Sequence, residues 1–191
     1  MTSNNPSWIL LHENPSPSPI DWCWLPGWSF APTIFRELYQ QLPGRHWGAD
    51  IHSATATLNE QADFLAQHAP DRAIWIGWSL GGALAMLAKK RSNARLTATL
   101  ATGVRFIQQG ADANGMPAAQ FELFCQQFQQ APVKTARRFL GLCSQGCADT
   151  KATLRILAEH QLDIGQHEAA LIHSLKWLGD YDLDTANDGE A

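Results

Sequence analysis

The stretch Ala73-Ile74-Trp75-Ile76-Gly77-Trp78-Ser79-Leu80-Gly81-Gly82-Ala83-Leu84-Ala85-Met86-Leu87-Ala88 decides how the rest of this 191-residue chain is read. Its first four residues form an apolar run suited to a buried strand, and Gly81 to Ala88 is a run of small and apolar residues suited to a helix packed close to it. Between them stands Gly77-Trp78-Ser79-Leu80-Gly81, a G-x-S-x-G element. At a strand-to-helix turn this element is a nucleophile elbow, which lifts one serine hydroxyl above the sheet. The two glycines flank a serine in strained backbone geometry, where a Cβ on either would collide with the crossing helix or strand. Ser79 is therefore the candidate nucleophile. The alternative is a plain Gly-rich turn, and the strand before and small-residue helix after are what favour the elbow.

Working outward, strands and helices alternate. Ser7 to His12 and Asp21 to Leu25 read as strands, joined by the stiff loop Pro15-Ser16-Pro17-Ser18-Pro19. A helix is expected around Ile34, Phe35, Leu38 and Leu42, a further strand over His46 to Ile51, and a helix from Leu58 to His68 that Pro70 stops. After the elbow, Leu96 to Val104 reads as one more strand. This order predicts an α/β fold with a mostly parallel sheet in residues 1–106.

Beyond Phe106 only helical periodicity remains, through Phe121, Phe124, Cys125 and Phe128, then Phe139, Leu140 and Leu142, then Leu154, Ile156 and Leu157, then Leu171, Leu175 and Leu178. An all-helical stretch after a parallel sheet reads as a cap over the sheet, spanning residues 107–179. Residues 180–191 read as an acidic, solvated tail. Asp180, Asp182, Asp184, Asp188 and Glu190 hold five of the 18 acidic residues, and no Lys or Arg follows Lys176. The net charge of −4 thus belongs to the tail, and the body is close to neutral.

A 45% hydrophobic content over this length suits one globular core. The start of the chain lacks the basic and apolar regions of a secretory signal. Residues 73–88 are uncharged but shorter than the roughly 18 apolar residues a membrane span needs. The expectation is a cytoplasmic chain in which Cys23, Cys125, Cys143 and Cys147 are reduced thiols. Cys143 and Cys147 could share a helix face, but no second Cys/His pair stands nearby at ligand spacing, so neither a metal nor a cofactor is expected.

At Ala69-Pro70-Asp71-Arg72-Ala73-Ile74-Trp75-Ile76-Gly77-Trp78-Ser79-Leu80-Gly81-Gly82 the chain resembles the α/β-hydrolases, and more closely the BioH-like pimeloyl-acyl-carrier-protein methyl ester carboxylesterases of biotin synthesis. The tryptophan directly before the serine is the more particular mark. Leu25-Pro26-Gly27-Trp28 looks like that family's oxyanion loop, with Pro26 where a histidine is usual. Arg138-Phe139-Leu140-Gly141-Leu142 looks like its cap segment.

The resemblance implies a serine carboxylesterase with Ser79 as nucleophile and the backbone N–H groups of Leu80 and Trp28 as oxyanion hole. It implies that Trp28 and Phe139, Leu140, Gly141, Leu142 and Cys143 contact the substrate. It also implies that Lys134, Arg138, Lys151 and Arg155 bind an acidic acyl carrier protein, where solvated helix charges are the plainer reading.

Two departures stand beside it. The loop pattern Asp-Leu-Pro-Gly-x-Gly is absent between Ala49 and Asn59, and no strand carrying the acid and histidine of a Ser-Asp-His triad follows the cap. The last strands of the fold are thus expected to be missing. Three readings follow: an esterase, a non-catalytic hydrolase half that keeps its carrier-protein face, or a fragment completed by another chain. The same absence predicts an uncovered edge at Leu96 to Val104 and self-association along it.

Overall fold

A computed structural model describes residues 8–18, 20–108 and 115–183. Of the expected solvated tail, Tyr181 and Leu183 are buried, and residues 184–191 lie outside the described residues.

Five strands form one sheet: β1 (Ile9–Asn14), β2 (Asp21–Leu25), β3 (Gly44–Gly48), β4 (Ile74–Trp78) and β5 (Leu96–Leu100). Their spatial order is β1-β3-β2-β4-β5, with β1 antiparallel to β3 and every other pair parallel. The α/β class expected from the alternation is correct. The central strands β2 and β4 bury Trp24 and Trp75, which fits the apolar runs in which they were read.

Element boundaries moved for local physical reasons. The helix expected through Leu42 is a 3₁₀ turn at Pro32–Phe35 followed by a single α-turn, α1 (Arg36–Tyr39). Leu42 instead packs beside the cluster of Trp24, Phe35 and Tyr39. The strand expected over His46 to Ile51 begins earlier and ends at Gly48. Strand β5 stops at Leu100, not Val104, because Ala101 takes φ +49° and turns the chain out of the sheet.

Two longer helices accompany the sheet. Helix α2 (Leu58–His68) starts on a capping box: Glu60 N–H donates to Thr57 Oγ1 at 3.2 Å, and Thr57 N–H donates to Glu60 Oε2 at 2.7 Å. The Thr57 N–H and hydroxyl, both donating to Glu60 Oε2, hold its carboxyl below its usual range. Helix α3 (Leu80–Lys89) buries eight of its ten residues, as its small, uncharged face requires.

The chain divides into two compact units. One holds the five strands with α1, α2 and α3. The other holds α4 (Ala118–Gln130), α5 (Pro132–Cys143), α6 (Thr150–His160) and α7 (Ile164–Asp180), together with Trp28–Ala31 and His52–Thr55. In this helical unit α6 and α7 begin on Asp149 and Asp163, whose carboxylates accept from Ala152 N–H and Gln166 N–H. Its core is aromatic: the Trp28 ring meets Phe124, Phe128 and Phe139 edge-on, at centroid distances of 5.7, 4.8 and 5.4 Å.

Candidate active site

Ser79 stands at the junction of β4 and α3 with φ +52° and ψ −117°, a conformation that L-residues rarely occupy. The surrounding backbone leaves it no other course. A Cβ on Gly77 would lie 2.5 Å from the Gly81 carbonyl oxygen and from Gly82 Cα. A Cβ on Gly81 would run into the carbonyl oxygens of Leu25 and Pro26. The helix thus passes against both its own strand and the end of β2, at a separation that only glycine permits.

Hydrogen bonds from β5 pin the strained residue. Ser79 N–H donates to Leu100 O at 2.9 Å, and the Thr102 hydroxyl donates to Ser79 O at 3.0 Å. The first turn of α3 has no side-chain cap, so the Leu80 N–H lies at the positive end of the helix without one. The half-buried serine, the uncapped helix start and the pinned turn form an elbow of the kind that presents a nucleophile and an anion-stabilising N–H together.

The other residues expected at the site lie in the helical unit. Trp28 is 2% exposed, and its indole N–H donates to Leu171 O at 2.9 Å. Its ring is thus part of that unit's core. Residues 139–143 lie on one helix, α5, and its 3.6-residue period splits them. Phe139 meets Trp28 edge-on and lies tilted against Phe30 and Phe124, and Leu140 is buried. Leu142 is 58% exposed, and Gly141 has nothing within 4 Å of where a Cβ would be. Burial pushes the half-buried Cys143 thiol up to about 11, so it stays protonated at neutral pH.

Lys134 and Arg138 are exposed on α5, and Lys151 and Arg155 are exposed on α6. Arg138 reaches Gln127 Oε1 at 3.4 Å. Lys151 and Arg155 line an open depression of about 260 Å³ with Asp149 and Ala152.

The seven histidines are held by contacts of several kinds. In the sheet unit, His12 Nε2 bonds Asn14 Oδ1, and His68 Nδ1 bonds Phe64 O. His46 is fully buried; its Nδ1 accepts from Trp24 Nε1–H at 3.1 Å, so its Nε2–H donates to Leu42 O at 3.0 Å. In the helical unit, His52 Nε2 accepts the N–H of Ser29 at 3.1 Å, and Ser29 itself has φ +69°. His160 is buried, its carbonyl accepting Ala31 N–H, while His167 bonds Asp163 O and His173 packs edge-on to Trp177. Asp182 pairs with Arg105 at 2.9 Å. The Ser29–His52 bond was not legible in the sequence, because nothing in either residue's neighbourhood signals a contact across 23 positions.

No family model matches the chain. Curated relatives do. The chain is 35% identical over 127 residues to a pimeloyl-[acyl-carrier protein] methyl ester esterase of Sodalis glossinidius, covering 65% of this chain and 48% of that protein. It is 31% identical over 173 residues to the Shewanella woodyi protein of the same name, covering 83% and 66%. It is 29% identical over 189 residues to the biotin biosynthesis bifunctional protein BioHC of Saccharophagus degradans, covering 91% and 34%. The chain thus spans from about a third to two thirds of the length of these relatives. Among solved structures, an esterase from Exiguobacterium antarcticum superposes with a TM-score of 0.71 at 16% identity, over 88% of this chain and 69% of that one. A lipase-esterase related protein from Clostridium acetobutylicum gives 0.66 at 20% identity, over 95% and 75%. The parallel sheet, the glycine-framed elbow and these likenesses make the chain an α/β-hydrolase by fold, similar in sequence to the pimeloyl-[acyl-carrier protein] methyl ester esterases.

Proposed function

We propose that this chain acts in the cytoplasm as a serine carboxylesterase on the methyl ester of a pimeloyl group carried by acyl carrier protein, as a step of biotin synthesis. The observation that carries this reading is Ser79 at φ +52° between Gly77 and Gly81. In the proposed reaction Ser79 Oγ adds to the ester carbonyl, methanol leaves, and water then releases the acid from the acyl-enzyme. The Leu80 N–H donates to the oxyanion, a role whose loss costs about 3–4 kcal/mol in a well-studied case. Neither metal nor cofactor enters these steps. The unpaired state of all four cysteines supports the reducing compartment.

In this reading residues 107–179 form the cap, Trp28, Phe139, Leu140, Gly141, Leu142 and Cys143 contact the acyl chain, and Lys134, Arg138, Lys151 and Arg155 hold the carrier protein. Exposure of all four basic side chains supports the last assignment. Their charge would chiefly raise the rate of encounter with an acidic partner.

A second reading, a carrier-binding chain without turnover, is supported by His46, both of whose ring nitrogens are bonded, one to Trp24 Nε1–H and the other to Leu42 O. One experiment separates the two. Hydrolysis of a short nitrophenyl ester that disappears in Ser79→Ala supports the esterase. A rate at background in both proteins rejects it, since losing one member of a triad can cost about 10⁶ in kcat. Carrier-protein binding that weakens when Lys134, Arg138, Lys151 and Arg155 are all reversed to Glu supports the proposed face under either reading. The expected loss is about 1–4 kcal/mol in all, larger at low salt.

A further inference from the structure

Trp28 uses one of its two N–H groups and leaves the other open. The indole N–H donates to Leu171 O, whereas among the described residues the main-chain N–H has no hydrogen-bond partner. The residue is 2% exposed, and a buried main-chain donor is rarely left without an acceptor. Its covalent neighbour on the N-terminal side is held in the sheet unit. Gly27, whose carbonyl carbon bears the Trp28 nitrogen, lies where a Cβ would come 3.0 Å from the Trp78 ring. Leu25 of β2 pairs with Gly77 of β4, so the chain runs into Trp28 from the strand next to the one that carries Ser79. The carboxyl ends of parallel strands are where such sheets hold their ligands.

On the C-terminal side the neighbour is Ser29, fully buried at φ +69°. A serine keeps that conformation only where its surroundings fix it. Its carbonyl accepts Leu162 N–H at 2.9 Å, and Ala31 N–H donates to His160 O at 2.9 Å. Its own N–H donates to His52 Nε2 at 3.1 Å. A main-chain N–H can only donate, so Nε2 is the acceptor and the ring proton sits on Nδ1. His52 is 7% exposed and follows β3, the parallel neighbour of β2. Consecutive N–H groups beside a left-handed residue can turn together on an anion. Here His52 takes that of Ser29, and that of Trp28 alone is left to receive one.

From this we infer that His52 is a positioning residue for the reaction proposed above, a role that rests on the esterase reading. By holding the Ser29 N–H it fixes the peptide that follows Trp28, and so aims the Trp28 N–H as the oxyanion donor that works beside the Leu80 N–H. The Trp28 ring can then belong to the aromatic core while its main chain serves the site.

The test compares the full chain with His52→Gln, whose Oε1 has about the reach of Nε2, and His52→Leu, which has no acceptor. Circular dichroism is the folding control. Amide exchange reads the bond itself: Ser29 N–H should exchange about tenfold faster in His52→Leu, and His52→Gln should restore the slow rate. Hexylboronic acid reads the donor. Ser79 Oγ adds to the boron, the serine proton passes to solvent, and the tetrahedral adduct carries the negative charge. The parent and His52→Gln should bind it at least about tenfold more tightly than His52→Leu, and the Trp28 amide resonance should move on binding. Methyl heptanoate, an uncharged ester, should bind the Ser79→Ala forms of all three alike, whereas a merely structural role for His52 would weaken both ligands together. Equal boronate affinity in the parent and His52→Leu, an unchanged Ser29 exchange rate, or a Trp28 amide that ignores bound boronate overturns the positioning role and leaves the esterase reading standing. If His52→Leu does not fold, His52→Met takes its place, and the Trp28 amide of the parent still decides. Boronate that binds none of the proteins, or binds Ser79→Ala as tightly as the parent, rejects the esterase reading, and the positioning role falls with it.

Discussion

Thr102 ties the end of β5 to the elbow. Its hydroxyl lies 3.0 Å from Ser79 O and 3.1 Å from Leu100 O, while the carbonyl of Leu100 accepts the Ser79 N–H. A strained residue persists only where its surroundings over-determine it, and here the neighbouring strand does so. Thr102→Val keeps the shape and removes the donor. We expect it to lower stability by about 1 kcal/mol and to slow phosphonylation of Ser79, while Thr102→Ser retains both. Urea midpoints at unchanged slope, together with probe-labelling rates, check this.

Two glycines should respond in opposite directions to the same change. Gly81→Ala drives a methyl into the carbonyls of Leu25 and Pro26 and should destabilise the chain by more than about 2 kcal/mol, or prevent folding. Gly141→Ala on α5 meets open space and should stabilise by about 0.5–1 kcal/mol. Thermal melts of the pair would read both signs, and a Gly81→Ala protein as stable as the parent would refute the close approach.

Trp28 is expected to matter first for folding. Trp28→Phe keeps a ring among Phe124, Phe128 and Phe139 but abandons the bond to Leu171 O, at a cost of about 1–2 kcal/mol. Trp28→Ala should cost about 3–5 kcal/mol. Denaturation followed by helical circular dichroism would register these losses.

His46 sets an acid limit. Desolvation lowers its pKa in the fold, against the raising effect of its bond to Leu42 O, with His12 lowering it further. The unfolded chain, with an ordinary histidine near 6.5, then binds more protons than the folded one as pH falls below that value. Its contribution is full above pH 6.5 and is lost on acidification. His46→Gln should flatten this part of the stability profile while lowering its plateau.

Tyr181 sets the opposite limit. Burial, aided by Asp182, pushes its phenol up to about 12, and its hydroxyl donates to Gly103 O at 3.1 Å. Between about 10 and 12 the folded state keeps a proton that the unfolded state has lost, so stability falls as pH rises through that window. Tyr181→Phe should remove this alkaline slope in denaturant titrations.

The elbow was legible in the sequence because its constraints are local. Gly77, Ser79 and Gly81 must be those residue types wherever a strand turns sharply into a close-packed helix, and the neighbouring apolar runs declare both elements. The parallel class was legible for a similar reason, since strands separated by helices cannot easily pair otherwise. What required the tertiary structure was everything set by residues far apart in the chain. The order β1-β3-β2-β4-β5 and the reversed β1 depend on which edges meet. The early end of β5 depends on Ala101 turning at positive φ where Leu100 and Thr102 bond Ser79. Trp28 reads as a residue of the loop after β2, yet its ring lies in an aromatic core built from helices about a hundred positions later. The split of Phe139 to Cys143 into buried and exposed positions follows from how α5 is rotated against its neighbours, which five consecutive residues do not encode. Local backbone chemistry is written in adjacent side chains, whereas burial and partnership arise only when distant surfaces are brought into contact.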